Sequence, residues 1–398
     1  MTHHQALNST YAAQPAGSQG KRAVIVTGHF PVQKRRGSIL WLSDNLRSNG
    51  WHVTMVTVGY SWLSKLRGDK RFLTLEQPPT PGVTVHDETL TSVFGFSPLH
   101  PFSLKAPLLD KIARPLHQTF AAYWRRHLPQ LVAEADLIVI ESGPPVMLAP
   151  IARTAAPEAA LVYRVNDDVS VLGLPKFVIE AEINHAPLFD RISVASPHLA
   201  ARFAHCETVC RDPMGVAKAV LDQEMEDPFK DHGLRAVREA VCAGTTQFDM
   251  DSIQLMAELR PTWRFHIFGR LRDVPDDVPA NVVLHGEQPF LETARWVKHA
   301  DVGLAPYLDK QGVEYQTAHS NRMLMYRYFG LPMIGPARLC DPEVPTLVGY
   351  APQDRASMAQ ALDALEAMAR GEPDPAIQDW SHLYDRIAST KPPKQQTA

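Results

Sequence analysis

A chain of 398 residues, 45 % hydrophobic and 21 % charged, is too long for one ordinary core and suits two globular domains of roughly 150–200 residues each. Its net charge of −3 hides a split: residues 1–130 carry 15 Lys+Arg against 6 Asp+Glu and the remainder 25 against 37, so the first part is expected to face something anionic, nucleic acid or a membrane. No apolar run approaches the roughly 18–20 residues of a membrane span, no leader pattern opens the chain, and the four cysteines, with Cys206 and Cys210 lacking a second pair, argue against a zinc site.

Taken in order, Met1–Gly20 reads as a polar tail. Arg22–Gly28 is an apolar run expected to form a buried parallel strand. Ser38–Ser48 has helical spacing at Leu40, Leu42 and Leu46, with Gly50 as its stop, and Trp51–Val58 is β-branched. A βαβ opening follows. Leu137–Glu141, Ala160–Val165 and Arg191–Ser196 are further strands, with Pro144–Thr154 helical between the first two. The pattern pauses over Asp212–Leu234, an expected linker. It restarts with strands at Glu239–Gly244, Trp263–Gly269, Asn281–Gly286, Asp301–Tyr307 and Pro332–Gly335, and helices at Phe290–Ala300 and Ser320–Phe329. Strands alternating with helices predict doubly wound α/β domains. The expected boundaries are 1–20 for the tail, 21–215 for the first domain and 216–375 for the second. Residues 376–398 are expected to form a C-terminal helix and tail that crosses back to the first domain. Two such domains would place a ligand between them, outside the carboxyl ends of the strands.

Three features carry chemistry. Tyr163–Asp168 puts Asp167 and Asp168 at the carboxyl end of a strand, where a carboxylate could accept a proton from an attacking hydroxyl; the same residues also suit a helix cap or turn. Ser320-Asn321-Arg322 opens a helix, whose N-terminus and arginine fork suit a phosphate or carboxylate, or merely cap the helix. Gly244-Thr245-Thr246 and Gly286-Glu287 each follow a strand, are read as opening a helix, and allow close backbone approach to a nucleotide. No G-x-G-x-x-G follows the first strand and no G-x-x-x-x-G-K-[ST] occurs, which argues against a dinucleotide dehydrogenase and a P-loop NTPase. No Asp-x-Asp is read in a strand-flanking loop, so no metal and no bound cofactor are expected.

From Tyr60 to Leu128, bulky residues such as Trp62, Leu66, Phe94, Phe96 and Trp124 stand among Lys65, Arg67, Lys70, Lys111 and Arg125. This mixture predicts contact with an anionic membrane surface, or an ordinary core helix with a basic face. Nucleic acid is not expected: no reader motif is present and the second domain is acidic.

Arg35-Arg36, Ser64–Arg71, Ile138–Gly143, Leu161–Asp167, Gly303–Tyr307 and Tyr326–Pro332, in this order and spacing, resemble the GumK family, the glucuronosyltransferases of xanthan assembly, over about Arg22 to Asp385. The resemblance implies the GT-B fold, two Rossmann-like domains facing each other across a deep cleft. It implies an inverting, metal-independent transfer of glucuronic acid from UDP-glucuronate to a polyprenyl-diphosphate-linked oligosaccharide, at the cytoplasmic face of the inner membrane. By this resemblance Asp167 matches the catalytic base, Glu287 and Tyr307 match donor-binding positions, and Thr246, Asn321 and Arg322 match nucleotide-sugar contacts. Three positions depart from the family: it has lysine in place of Arg322, glutamine in place of Met325 and methionine in place of Thr246. Two other classes are compatible with the fold expectation: a UDP-sugar epimerase and a non-catalytic membrane scaffold.

Overall fold

The computed structural model describes residues 20–392 except 33–35, 67–74, 76–79, 104–106, 231–237, 272–273, 309–319 and 343. Arg35, Arg67 to Arg71 of the Ser64–Arg71 segment, and both tails apart from Gly20, Lys391 and Pro392 therefore lie outside the described residues. The chain divides into two compact units. Unit 1 is Met1–Pro213 together with Trp380–Ala398, and unit 2 is Met214–Asp379.

In unit 1 the elements are β1 (Arg22–Thr27), α1 (Ser38–Ser48), β2 (His52–Thr57), α2 (Trp62–Leu66), β3 (Gly82–Val85), β4 (Leu90–Phe94), α3 (Pro107–Val132), β5 (Leu137–Glu141), α4 (Ala149–Ala155), β6 (Ala160–Val165), α5 (Lys176–His185), β7 (Arg191–Val194), α6 (Pro197–Ala201) and β8 (Val209–Arg211). Among the described residues they form one eight-stranded sheet in the order β3-β4-β2-β1-β5-β6-β7-β8. All neighbours are parallel except β3 and β4. The central strands are rich in apolar residues because helices cover both faces of a parallel sheet: all of β5 and β6 and five of six β1 residues are buried, with Glu141 and Arg164 among them. The Pro144–Thr154 stretch is not one helix. Pro144 and Pro145 lack amide donors, and residues Pro144–Leu148 form a 3-10 turn before α4 begins.

Unit 2 carries α7 (Lys218–Leu221), β9 (Glu239–Ala243), α8 (Met250–Leu259), β10 (Arg264–Phe268), β11 (Val282–Gly286), α9 (Phe290–His299), β12 (Val302–Leu304), α10 (Asn321–Tyr328), β13 (Met333–Pro336), β14 (Leu347–Tyr350) and α11 (Arg355–Glu366). Its six-stranded sheet, entirely parallel, runs β11-β10-β9-β12-β13-β14. Apolar clusters lie against it, one around Trp296, Met323 and Tyr326 and another around Phe265, Met256 and Leu362. The last helix, α12 (Trp380–Ala388), returns to unit 1 and packs on α1, burying Trp380, Leu383 and Ile387.

Two expectations are corrected here. Gly244–Thr246 and Gly286–Glu287 do not open helices: α8 starts at Met250, capped by Asp249, and α9 at Phe290. Both glycine segments are loops at the carboxyl edge of the sheet. Of the bulky residues in the basic stretch, Phe94, Phe96 and Trp124 are core, between 1 % and 6 % exposed, while Trp62 and Leu66 are 47 % and 83 % exposed. Phe94 and Phe96 pack edge-on to each other, and Phe94 also packs against Phe30 and Tyr60.

Candidate active site

In unit 2 the chain winds from β9 through β10 to β11 on one side and then through β12, β13 and β14 on the other. The winding reverses between β9 and β12. At such a switch point the connections after the two strands diverge, leaving a crevice at their carboxyl ends. Gly244 follows β9 there, and Tyr307 follows β12.

The edge is built from backbone. Gly244, Gly269 and Gly286 end β9, β10 and β11 with φ of 106°, 127° and 68°. The Gly244 amide donates to the Phe268 carbonyl at 2.8 Å, and the Gly269 amide to the Gly286 carbonyl at 2.7 Å. The Thr245 hydroxyl donates to the Arg270 carbonyl at 2.7 Å.

Helix α10 supplies the charge. Ser320 is its N-cap: the Ser320 hydroxyl accepts from the Met323 amide at 3.2 Å and from the Tyr307 hydroxyl at 2.9 Å. Arg322, 5 % exposed, lies under the rim. Its Nε donates to the Ala243 carbonyl at 3.2 Å and its Nη2 to the Gly244 carbonyl, while its guanidinium sits 4.7 Å from the Tyr307 ring centroid. Nη1 has no acceptor among the described residues. An arginine stays charged when buried, and leaving such a donor unpaired costs on the order of 1–3 kcal/mol. An anionic ligand atom at this position would recover that cost.

The structure thus joins Gly244, Tyr307, Ser320 and Arg322 by direct contacts. Glu287 is half-buried just past β11, while Thr246 and Asn321 are exposed. Met325 faces inward, 6 % exposed, in the apolar cluster of Trp296 and Met323. One Asp-x-Asp spacing does occur, at Asp249 and Asp251, the N-cap and first turn of α8. There the Asp249 carboxylate caps α8 by accepting from the Ser252 backbone amide at 3.4 Å, and it also accepts from the Ser252 hydroxyl at 2.7 Å, so Asp249 is accounted for by the helix. No group of three or more His, Cys, Asp or Glu able to hold a metal occurs among the described residues.

Unit 1 has the same plan. Its winding reverses between β1 and β5. Glu141, buried at the end of β5, accepts from the Thr27 hydroxyl and from the Asn166 amide at 3.1 Å, and His29 stands 3.6 Å from it. Asn166 in turn accepts from Arg164 Nε at 2.9 Å. Asp167 follows, half-exposed. Asp168 comes next. It is 4 % exposed, accepts from the Ser170 amide at 2.9 Å and hydroxyl at 2.6 Å, and pairs with Arg202 and, at 3.3 Å, His198. Burial works to raise its pKa, but the Ser170 hydrogen bonds and the Arg202 charge outweigh this and hold the carboxyl below its usual range.

Sequence reasoning passed over Gly269, Glu141, His29 and Arg202. Gly269 was visible as the final residue of a strand, in the same place as Gly244 and Gly286. The other three carry no local signal, because their roles depend on which strands become neighbours.

Residues 25–195 match the family described as "Glucuronosyltransferase GumK, N-terminal domain". Over 381 residues the chain is 28 % identical to the UDP-glucuronate:glycolipid 2-beta-glucuronosyltransferase of Xanthomonas campestris pv. campestris, covering 94 % of this chain and 91 % of that protein. Among solved structures, sucrose-phosphate synthase from Thermosynechococcus elongatus superposes with a TM-score of 0.60 at 15 % identity, covering 93 % of this chain and 95 % of the other. The trehalose-6-phosphate protein from E. coli, bound with UDP-2-fluoro glucose, gives 0.60 at 14 % identity, covering 93 % and 96 %. At such identities these two structures establish the fold alone: it is GT-B, as expected.

Proposed function

We propose that this chain, a GumK-like glycosyltransferase of GT-B fold, moves glucuronic acid from UDP-glucuronate to a polyprenyl-diphosphate-linked oligosaccharide. The transfer inverts the anomeric carbon and uses no metal. The observation that carries this reading is the buried guanidinium of Arg322 at the switch point of unit 2, whose Nη1 has no acceptor among the described residues and lies under a rim of glycines. It suits an acidic donor, through the diphosphate or the sugar carboxylate.

In the proposed step the acceptor oxygen attacks C1 of the sugar as its proton passes to the Asp167 carboxylate. The bond between C1 and the diphosphate oxygen breaks, and UDP leaves with the electron pair. Arg322 and the N-terminus of α10 stabilise the departing charge. Asp167 is the acid that the family resemblance matches to the base, while Asp168 pairs with Arg202, Ser170 and His198. The acceptor's lipid end is assigned to an anionic membrane surface met by unit 1, where Trp62, Leu66 and Ile112 are exposed, in keeping with the basic composition of residues 1–130. No helix among the described residues is long and apolar enough to cross a membrane, so the contact proposed is peripheral, on the cytoplasmic side of the inner membrane.

Two measurements test this. In a thermal-shift panel of UDP-sugars, UDP-glucuronate should give the largest shift; a larger one with UDP-glucose overturns the donor assignment. Asp167→Asn should lower turnover on a lipid-linked acceptor by about 10²–10⁴-fold, the usual worth of a general base, with UDP affinity unchanged. Near-normal turnover would remove Asp167 from the mechanism.

A further inference from the structure

The Asn166-Asp167-Asp168 triplet has an uneven environment. Asn166 is anchored on one side by Glu141, Arg164 and the Ser142 hydroxyl. Asp168 is anchored on the other. The anchor there is Arg202, which lies just past α6 and is 17 % exposed along its side chain. Its two terminal nitrogens go to different carboxylates: Nη1 to Asp168 and Nη2 to Glu182 of α5. Glu182 is fully buried and accepts from the Tyr163 hydroxyl at 2.7 Å. Tyr163 lies on β6, the strand that ends in the triplet, and its ring stacks on Phe189 at 4.9 Å. The circuit therefore leaves β6, passes through α5 and the α6 end, and returns to the loop three residues beyond the strand. Asp167 lies between its two anchored neighbours.

Such a circuit is expensive to bury. Two carboxylates and one guanidinium leave water together, and ion pairs in a protein interior often stabilise no more than apolar replacements would. A solvent-facing turn needs only the cap that Asp168 gives to Val169–Val171, for which the Ser170 contacts suffice. The fork across two elements does something the cap does not: it fixes where the loop stands relative to α5 and β6.

We propose that Arg202 is a positioning residue of the transfer reaction, holding Asp167 in place through Asp168. The role rests on Asp167 being the base. Acid–base catalysis loses its advantage when the base moves by a fraction of an ångström from hydrogen-bond reach of the proton it takes. Loss of the fork acts on turnover and leaves the donor site in unit 2 alone.

The test uses the full chain with a lipid-linked acceptor and UDP-glucuronate. Arg202→Met is expected to lower kcat at least about 30-fold while donor KM and UDP affinity stay within about twofold. Arg202→Lys is expected to recover only part of the loss, because one ammonium cannot hold two carboxylates in a planar fork. Should Arg202→Met fail to fold, Asp168→Asn keeps the cap, since asparagine caps as well as aspartate. It loses the ion pair, and about a tenfold fall in kcat is expected. A folded Arg202→Met with kcat within threefold of wild type, or a rise in donor KM that accounts for the whole loss, overturns the proposal. So does an Asp168→Asn variant with unchanged kcat. Asp167→Asn measured alongside separates the two ideas. If it is inactive and Arg202→Met is not, positioning alone fails; if it is active, the base assignment fails and the positioning role with it.

Discussion

His285 shows how one side chain acquires its properties from three others. It stacks flat on Phe268, with ring centroids 4.3 Å apart, and lies 4.6 Å from Trp296. Its Nε2 stands 2.9 Å from Nδ1 of His266, whose own Nε2 meets the buried Glu239 carboxylate at 2.9 Å. Burial, aided by His266 and opposed by Glu292, pushes the His285 pKa from 6.5 down to about 4. Between those values the unfolded chain binds the extra proton and the folded one does not, so stability is full above pH 6.5 and falls on acidification toward 4. His285→Phe keeps a flat ring and cannot titrate. In urea titrations it is expected to be less stable than wild type at pH 7, with the gap narrowing as the pH drops from 6.5 to 4; a constant gap would refute the assignment. Asp167 and Asp168 make the complementary point. The sequence offers two equivalent acids at a strand end. Only the arrival of Arg202 and His198, more than 29 residues downstream, shows that one of them is committed.

At the level of elements, the rim of unit 2 is a row of three strand ends. Gly269 is its tightest member: a Cβ there would stand 2.7 Å from Thr245 Oγ1, at a φ of 127° that other residues avoid. Gly269→Ala is expected to cost about 1–3 kcal/mol, read as a lower denaturation midpoint, and to weaken UDP binding because Thr245 must shift. Undiminished UDP affinity would mean the rim does not shape the site. Most interior parallel strands were legible in the sequence because a strand buried on both faces is largely apolar, as Leu137–Glu141 and Ala160–Val165 show. The edge strand β11 was read, at Asn281–Gly286, but β3, β4, β8 and β14 were not. β3 has no fully buried residue, and β8 is three residues long. The long α3 was hidden by Pro115 and Pro129 inside it, which locally argue against any helix. For the site, Ser320 and Arg322 were legible as a helix start. What the arginine does there was not, because its partners, the carbonyls of Ala243 and Gly244, lie 79 and 78 residues away.

For the molecule as a whole, the main fact is that unit 1 is assembled from two stretches of chain. Trp380, Leu383 and Ile387 of α12 are all at most 3 % exposed, and Arg386 lies 3.9 Å from Asp212, whose carboxylate Arg191 holds with two hydrogen bonds. At roughly 1.5–3 kcal/mol for each large apolar side chain, α12 contributes an amount comparable to the 5–15 kcal/mol net stability of a typical domain. Ending the chain after Asp379 is therefore expected to leave unit 1 open to limited proteolysis while unit 2 still resists it. Adding a peptide of residues 380–392 should restore protection to unit 1. Equal protease resistance with and without α12 would show that the helix is dispensable.

That arrangement also orders events on the ribosome. Unit 2 has its whole sequence available once Asp379 has emerged, whereas the face of α1 that α12 covers stays bare until later residues are made. Nascent unit 1 thus passes through a period with an apolar surface uncovered, and the enclosed unit completes before the enclosing one. A pause in translation near codon 380 would lengthen that exposure, making the last helix the step at which synthesis and solubility of this protein meet.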